Sequence, residues 1–145
     1  MIPEIWGKSG WDFIHFVTLD YPLNPTQTDK INYYKYFQAL QHVLPCEKCR
    51  YNMTSHLKKY PLTDEVLSSR DNLVKWGIDL HNIVNHYTGK KMLTYQEALA
   101  QINKSANPNK QYGISNCQYY LILFVVLLIV CGLIYFIFKR VKQSK

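Results

Sequence analysis

Through most of the first hundred residues apolar side chains recur three and four positions apart, and no stretch alternates apolar with polar for long, so the pattern predicts helices throughout. After Gly7 or Gly10 a first helix would put Trp11, Ile14, His15 and Thr18 on one face, with Pro22 and Asn24-Pro25 ending it. Thr28 is placed to cap a second, with Ile31, Tyr34, Phe37, Leu40 and Leu44 as its buried stripe and Pro45 at its end. A third runs from about Cys46 to Lys59 and stops before Pro61. Ser68 or Ser69 caps a fourth, whose Leu73, Trp76, Leu80, Val84 and Tyr87 share a face before Gly89. Thr94-Tyr95-Gln96-Glu97 has capping-box spacing and opens a short fifth.

The expected fold class is therefore all-α: a four-helix bundle plus a short fifth helix, followed by a C-terminal transmembrane helix. The chain divides into a helical domain over 1–102, a polar linker over 103–118 with Pro108 and Gly113, an apolar segment over 119–138, and a basic tail over 139–145. The apolar segment holds no charged residue. As a helix rising about 1.5 Å per residue it would cover roughly 30 Å, the hydrocarbon thickness of a bilayer, with Tyr119, Tyr120 and Tyr135 at the interfaces.

At 145 residues, 48% hydrophobic and 14% aromatic, the chain is too apolar for extensive disorder. The net charge of +7 changes meaning once divided, because Lys139, Arg140, Lys142 and Lys145 all follow the apolar segment. The remaining 13 basic and 10 acidic residues make an ordinary surface, which excludes nucleic acid as the expected partner. Residues 1–10 contain Pro3, Glu4 and two glycines but no apolar core, so no secretory signal is expected there. Of four cysteines only Cys46 and Cys49 are spaced for joint chemistry.

Cys46-Glu47-Lys48-Cys49 sets two thiols one helical turn apart, near enough for a disulfide and suited equally to half of a metal site. At a helix N-terminus the backbone dipole favours thiolate, and Lys48 and Arg50 add positive charge. A zinc site would recruit His81 and His86, whose spacing of five does not bring both to one face cleanly. No metal ligand is assigned. A thioredoxin arrangement needs strands that the pattern lacks. On the fourth helix, His81 and Asn85 lie one turn apart, with Asn82 adjacent and Trp76 offering a flat face. That set could hydrogen-bond and stack on a planar heteroaromatic ligand, or form a satisfied polar spot in a core.

Taken together, Trp6-Gly7 with Trp11 and His15, Pro45-Cys46-Glu47-Lys48-Cys49, Trp76, His81-Asn82, Val84-Asn85 and Lys90 or Lys91 resemble the flavin-dependent sulfhydryl oxidases of the Erv/ALR family, most closely the compact versions of large cytoplasmic DNA viruses. The resemblance covers roughly residues 4 to 100. It implies an FAD-linked thiol oxidase that forms disulfides in protein substrates and passes electrons to oxygen, giving hydrogen peroxide. By the same resemblance Cys46 is the interchange thiol and Cys49 the flavin-proximal one. Gly7, Lys8, Trp11 and His15 would line FAD from the first helix, and Trp76, His81, Asn82, Val84, Asn85, Lys90 and Lys91 would close around adenine, ribose and phosphates. The family is usually dimeric, and the aromatic run Tyr33, Tyr34, Tyr36, Phe37 exceeds what one small core hides, so a homodimer is expected. The rival reading is a membrane-tethered zinc-binding or scaffold module without catalysis.

Two family features are missing: a cysteine between Gly77 and Leu80, and a second C-x-x-C shuttle. Cys117 is the candidate to replace the shuttle, and Cys131 is read as an ordinary small apolar residue. The expected topology is a single-pass C-terminal anchor in a host-cell or virion membrane with the oxidase domain in the cytosol, although the basic tail argues for the reverse orientation. Asn52-Met53-Thr54 and Asn103-Lys104-Ser105 are glycosylation acceptor patterns that would report a lumenal placement.

Overall fold

The computed structural model describes residues 1–107 and 116–143, the side chains of the second stretch only in part. It falls into two units, Met1–Pro108 and Asn109–Lys145. The first unit holds five helices in order: α1 Pro3–Leu19, α2 Gln27–Val43, α3 Glu47–Lys59, α4 Arg70–Tyr87 and α5 Tyr95–Ala106, with a 3-10 turn at Val66–Ser68 before α4. The all-α expectation for this part agrees with the structure. α5 continues to Ala106, four residues into the stretch expected to be linker.

The helix starts follow cap chemistry. α1 begins earlier than Gly7 or Gly10 because Pro3 occupies its first turn, where a missing N–H costs nothing. Gly10 is needed inside it, since a Cβ there would stand 2.9 Å from the ring of Trp6. α2 is capped by Thr26, not Thr28: the Asp29 backbone N–H donates to Thr26 Oγ1 (3.2 Å), and the Thr26 N–H donates to the Asp29 carboxylate (2.8 Å). Phe37, Leu40 and Leu44 are buried as expected, whereas Ile31 and Tyr34 are exposed. Their places on the inner face are taken by Tyr33, which packs edge-on against Tyr21 (4.5 Å between centroids), and by Tyr36. Ser69 caps α4, and Gly89 ends the following turn at φ +70°, a left-handed conformation that suits glycine. Thr94 and Glu97 form the expected capping box of α5.

α1 packs on α4, α2 on α3, and α5 against both α1 and α4. The main core gathers Phe37, Leu40, Met53, Leu57, Leu73 and Trp76 with their neighbours, and a smaller one joins Val74, Ile78, Ala98 and Ile102 between α4 and α5. Each fully buried large side chain contributes on the order of 1.5–3 kcal/mol. α1 and α4 approach closely at Gly77, where a Cβ would meet Thr18 Cγ2 at 3.1 Å. That contact brings the polar inner face of α1 against the polar centre of α4.

The second unit is α6, Asn116–Gln143, with Tyr119 and Tyr120 in edge contact (5.8 Å). Here the expectation of a membrane-spanning helix over 119–138, and with it of a membrane partner, is corrected: among the described residues no helix is long and apolar enough to cross a membrane. The expected linker beyond Asn107, the Cys117 and Tyr135 side chains and the end of the basic tail lie outside the described residues. Cys131 is free and exposed.

Candidate active site

Cys46 is the N-cap of α3, and Cys46 and Cys49 form a disulfide with 5.1 Å between their Cα atoms. The local backbone builds this unit almost by itself. The Cys49 N–H donates to Cys46 Sγ (3.2 Å), satisfying one of the free amides of the first turn. The Leu44 carbonyl, left over at the end of α2, accepts both the Cys46 N–H (2.8 Å) and the Arg50 guanidinium (2.6 Å). Arg50 thereby ties the segment entering the pair to the helix leaving it. Cys49 packs against the main core, which makes it the inner sulfur.

Across from α3, His15 of α1 meets His81 of α4, with His15 Nε2 and His81 Nδ1 2.9 Å apart. Trp11 stacks on the His81 ring, centroids 4.1 Å apart and planes within 4°. Burial lowers the pKa of both histidines to about 4, in His15 against the opposing pull of Asp12 and in His81 helped by His15 and Lys90. Both imidazoles are therefore neutral at pH 7.

Between these walls lies a cavity of about 860 Å³. Gly7, Lys8, Trp11 and His15 line it from α1, Cys46 and Cys49 from α3, His81, Val84 and Asn85 from α4, and Lys90 and Lys91 from the turn that follows. Eleven of the thirteen residues singled out in the sequence thus meet at one place. Trp76 and Asn82 do not. Trp76 is a core residue, edge-on to Phe37 (4.9 Å) with its indole N–H donated to the Tyr60 carbonyl (3.2 Å). Asn82 holds the turn before α5, accepting the Leu93 N–H (2.9 Å) and donating to the Leu93 carbonyl (2.8 Å).

The sequence reading missed Asn52, Met53 and His56 of α3, Tyr87 of α4, and Gln101 and Ser105 of α5, all on the cavity. The first three lie three, four and seven positions after Cys49, helical spacing that continues its face and could have revealed them. His56 packs against Tyr87 (5.3 Å), its pKa lowered by burial and by Lys59. His86, the other member of the zinc reading, is exposed, and no group of three metal-ligating side chains occurs among the described residues. At the rim, Lys8 pairs with Asp12 (2.6 Å) and Lys91 with Glu97 (2.6 Å), the latter carboxyl held down at about 2 mainly by Lys91 and by its cap bonds to Thr94.

Chemically, the cavity offers a disulfide on one wall, aromatic and neutral imidazole rings on the other, and lysines at the edge. It suits a planar heteroaromatic ligand carrying anionic groups, held beside a thiol-exchanging pair. Comparison with known proteins agrees. The chain is 62% identical over 111 residues, 77% of its own length and 78% of the relative's, to a protein of Acanthamoeba polyphaga mimivirus named "Probable FAD-linked sulfhydryl oxidase R368". A "FAD-linked sulfhydryl oxidase" of African swine fever virus is 27% identical, over 74% of this chain and 88% of the relative. Among solved structures, the FAD-binding domain of Erv1 from Saccharomyces cerevisiae superposes with a TM-score of 0.61 at 26% identity, covering 66% of this chain and 89% of that one. The sequence profile of the Erv1/Alr family matches residues 8–106, most of the chain, and the protein belongs to that family.

Proposed function

We propose that this protein is an FAD-linked thiol oxidase that makes disulfide bonds in protein substrates. The observation that carries the reading is the Cys46–Cys49 disulfide sharing one cavity with the Trp11–His81 stack and the rim lysines. The residues fit the cofactor: the stack and the apolar walls suit its ring systems, and Lys8, Lys90 and Lys91 suit its phosphates. Gly7, His15, Val84 and Asn85 complete the lining.

A substrate thiolate attacks Cys46 Sγ, forming a mixed disulfide and expelling Cys49 as a thiolate. A second substrate thiolate attacks the substrate sulfur of that mixed disulfide, releases the oxidised substrate and leaves both cysteines reduced. Packing of Cys49, and not of Cys46, against the core supports this order. The helix N-terminus stabilises the leaving thiolate. When bound, FAD would supply the two-electron acceptor for the reduced cysteine pair and the route of those electrons to oxygen, with hydrogen peroxide as the product.

The full chain should purify yellow with about one FAD per chain and should consume oxygen and release peroxide with dithiothreitol. A colourless, folded protein would overturn the reading. A homodimer is part of the proposal, supported by exposed Ile5, Phe13, Ile31 and Tyr34 on α1 and α2. Light scattering at micromolar concentration checks it, a monomer refuting it.

A further inference from the structure

Two neutral imidazoles joined by one hydrogen bond can share it in either of two ways, and the ring atoms around them choose. We infer that His15 sets the tautomer of His81: His15 carries its proton on Nε2 and donates it to His81 Nδ1, which leaves His81 protonated on Nε2 as a hydrogen-bond donor to the ligand of the cavity.

The deciding atom is His15 Nδ1. It is sealed from solvent and has no hydrogen-bond partner. It faces the α4 backbone, 3.9 Å from where a Cβ on Gly77 would stand. The hydroxyl of nearby Thr18 donates to the His15 carbonyl and makes no bond to the ring. If His81 donated to His15 instead, the His15 proton would sit on this sealed Nδ1 with nothing to accept it. An orphaned buried N–H is rarer and costlier in folded proteins than an underused acceptor, so the bare lone pair belongs there. With both rings neutral, a proton on His15 Nε2 makes His81 Nδ1 the acceptor and consigns the His81 proton to Nε2.

His81 Nε2 differs from His15 Nδ1 in one respect that matters. His81 lines the cavity, and its Nε2 is neither sealed nor bonded among the described residues. The Trp11 stack fixes the plane of the ring and so the direction of the N–H. A ligand atom that satisfies it must be an acceptor lying in that plane, such as an unprotonated ring nitrogen or a carbonyl oxygen. His15 also lines the cavity, but its two ring nitrogens are sealed or bonded to His81, so its hydrogen-bonding influence on the ligand passes through His81 and it acts as a positioning residue.

The assignment rests on the cofactor reading of the cavity only for what the donor meets, and the test separates the two. In ¹⁵N-labelled full-length holoprotein, two-bond proton–nitrogen correlations of the imidazoles should show both His15 and His81 protonated on Nε2. His15→Gln, whose amide N–H replaces the Nε2 donor, should keep the His81 tautomer. His15→Met should release it to a mixture and weaken FAD binding about tenfold, the cost of one hydrogen bond. His81 protonated on Nδ1 in the wild-type protein, or an unchanged His81 spectrum in His15→Met, would overturn the inference. The wild-type spectrum decides alone should His15→Met fail to fold. A chain that binds no flavin yet shows His81 protonated on Nε2 refutes the oxidase reading and supports the tautomer assignment.

Discussion

The two walls of the cavity are built on different length scales. On α3, the disulfide, its cap and its clamp all fall between Leu44 and Arg50, and each bond joins residues at most six positions apart. On the other wall, His15 and His81 are 66 positions apart, and their contact exists only because Gly77 lets α4 approach α1 at Thr18. The reactive unit is thus carried by local chemistry, while the recognition unit depends on tertiary packing. Damage to either should therefore leave the other recognisable.

The largest effect should follow removal of either sulfur. Cys46→Ser and Cys49→Ser should each cut turnover by at least about 10³-fold, since no other nucleophile replaces the thiolate. FAD content should stay unchanged, because neither sulfur holds the opposite wall. Thermal unfolding should shift little, the lost cross-link closing a very short loop. In Cys46→Ser the remaining Cys49 thiolate should give a long-wavelength absorption band beside the flavin. The band appearing in Cys49→Ser instead would exchange the two roles.

Trp76→Ala sharpens the comparison from the side of the core. Because Trp76 packs on Phe37 and bonds Tyr60 away from the cavity, the substitution should destabilise the fold by about 3–5 kcal/mol. The FAD dissociation constant of the folded fraction should change less than in Trp11→Ala, where the stack itself is lost. Calorimetry with flavin titration measures both, and equal losses of affinity would return Trp76 to the binding site.

These residues also show what sequence can and cannot reveal. The α3 unit was legible because its determinants are neighbours: Pro45, the cysteine spacing and the helix start all lie within one turn. The Thr94–Glu97 box was legible for the same reason. Trp76 and Asn82 have the right chemistry for ligand binding, but their partners, Tyr60 and Leu93, are 16 and 11 positions away, and spacing carries no information about which claims them. Ile31 and Tyr34 join the expected stripe through repeated steps of three, which drift about 60° around a helix at each step, whereas Tyr33, Phe37, Leu40 and Leu44 keep the mixed spacing of three and four that holds one face. The helix over 119–138 was inferred to span a membrane from composition, and among the described residues no helix is long and apolar enough to cross one.

Gly77 tests the spacing of the recognition wall. Gly77→Val should force α1 and α4 apart at Thr18, cost about 1–3 kcal/mol and reduce flavin content, while the cysteines remain reducible by dithiothreitol and alkylated as in wild type. Gly77→Ala should be nearly neutral, because a contact at 3.1 Å requires a small adjustment and alanine recovers up to about 1 kcal/mol of helix propensity. Unfolding midpoints and flavin absorbance check the pair. Equal flavin content in Gly77→Val and wild type would mean that the wall tolerates displacement.

The mildest perturbation is pH. Burial lowers His15 and His81 to about 4 in the folded protein, against 6.5 in the unfolded chain, so between those values the unfolded chain binds more protons. Stability contributed by the neutral pair is therefore present above about pH 6.5 and lost as pH falls from there towards 4, by at most about 1.4 kcal/mol per pH unit for each histidine. His56, lowered by burial and Lys59, acts in the same direction from the opposite wall. Urea unfolding of the full chain at pH 7.5, 6.5 and 5.5 (about one pH unit per step) should show the loss, and His56→Phe should keep most of it while His15→Gln, which cannot take up a proton, should remove a larger share. The reverse ranking would place the acid sensitivity on the α3 wall and make the local unit, not the tertiary one, the weaker side of the cavity.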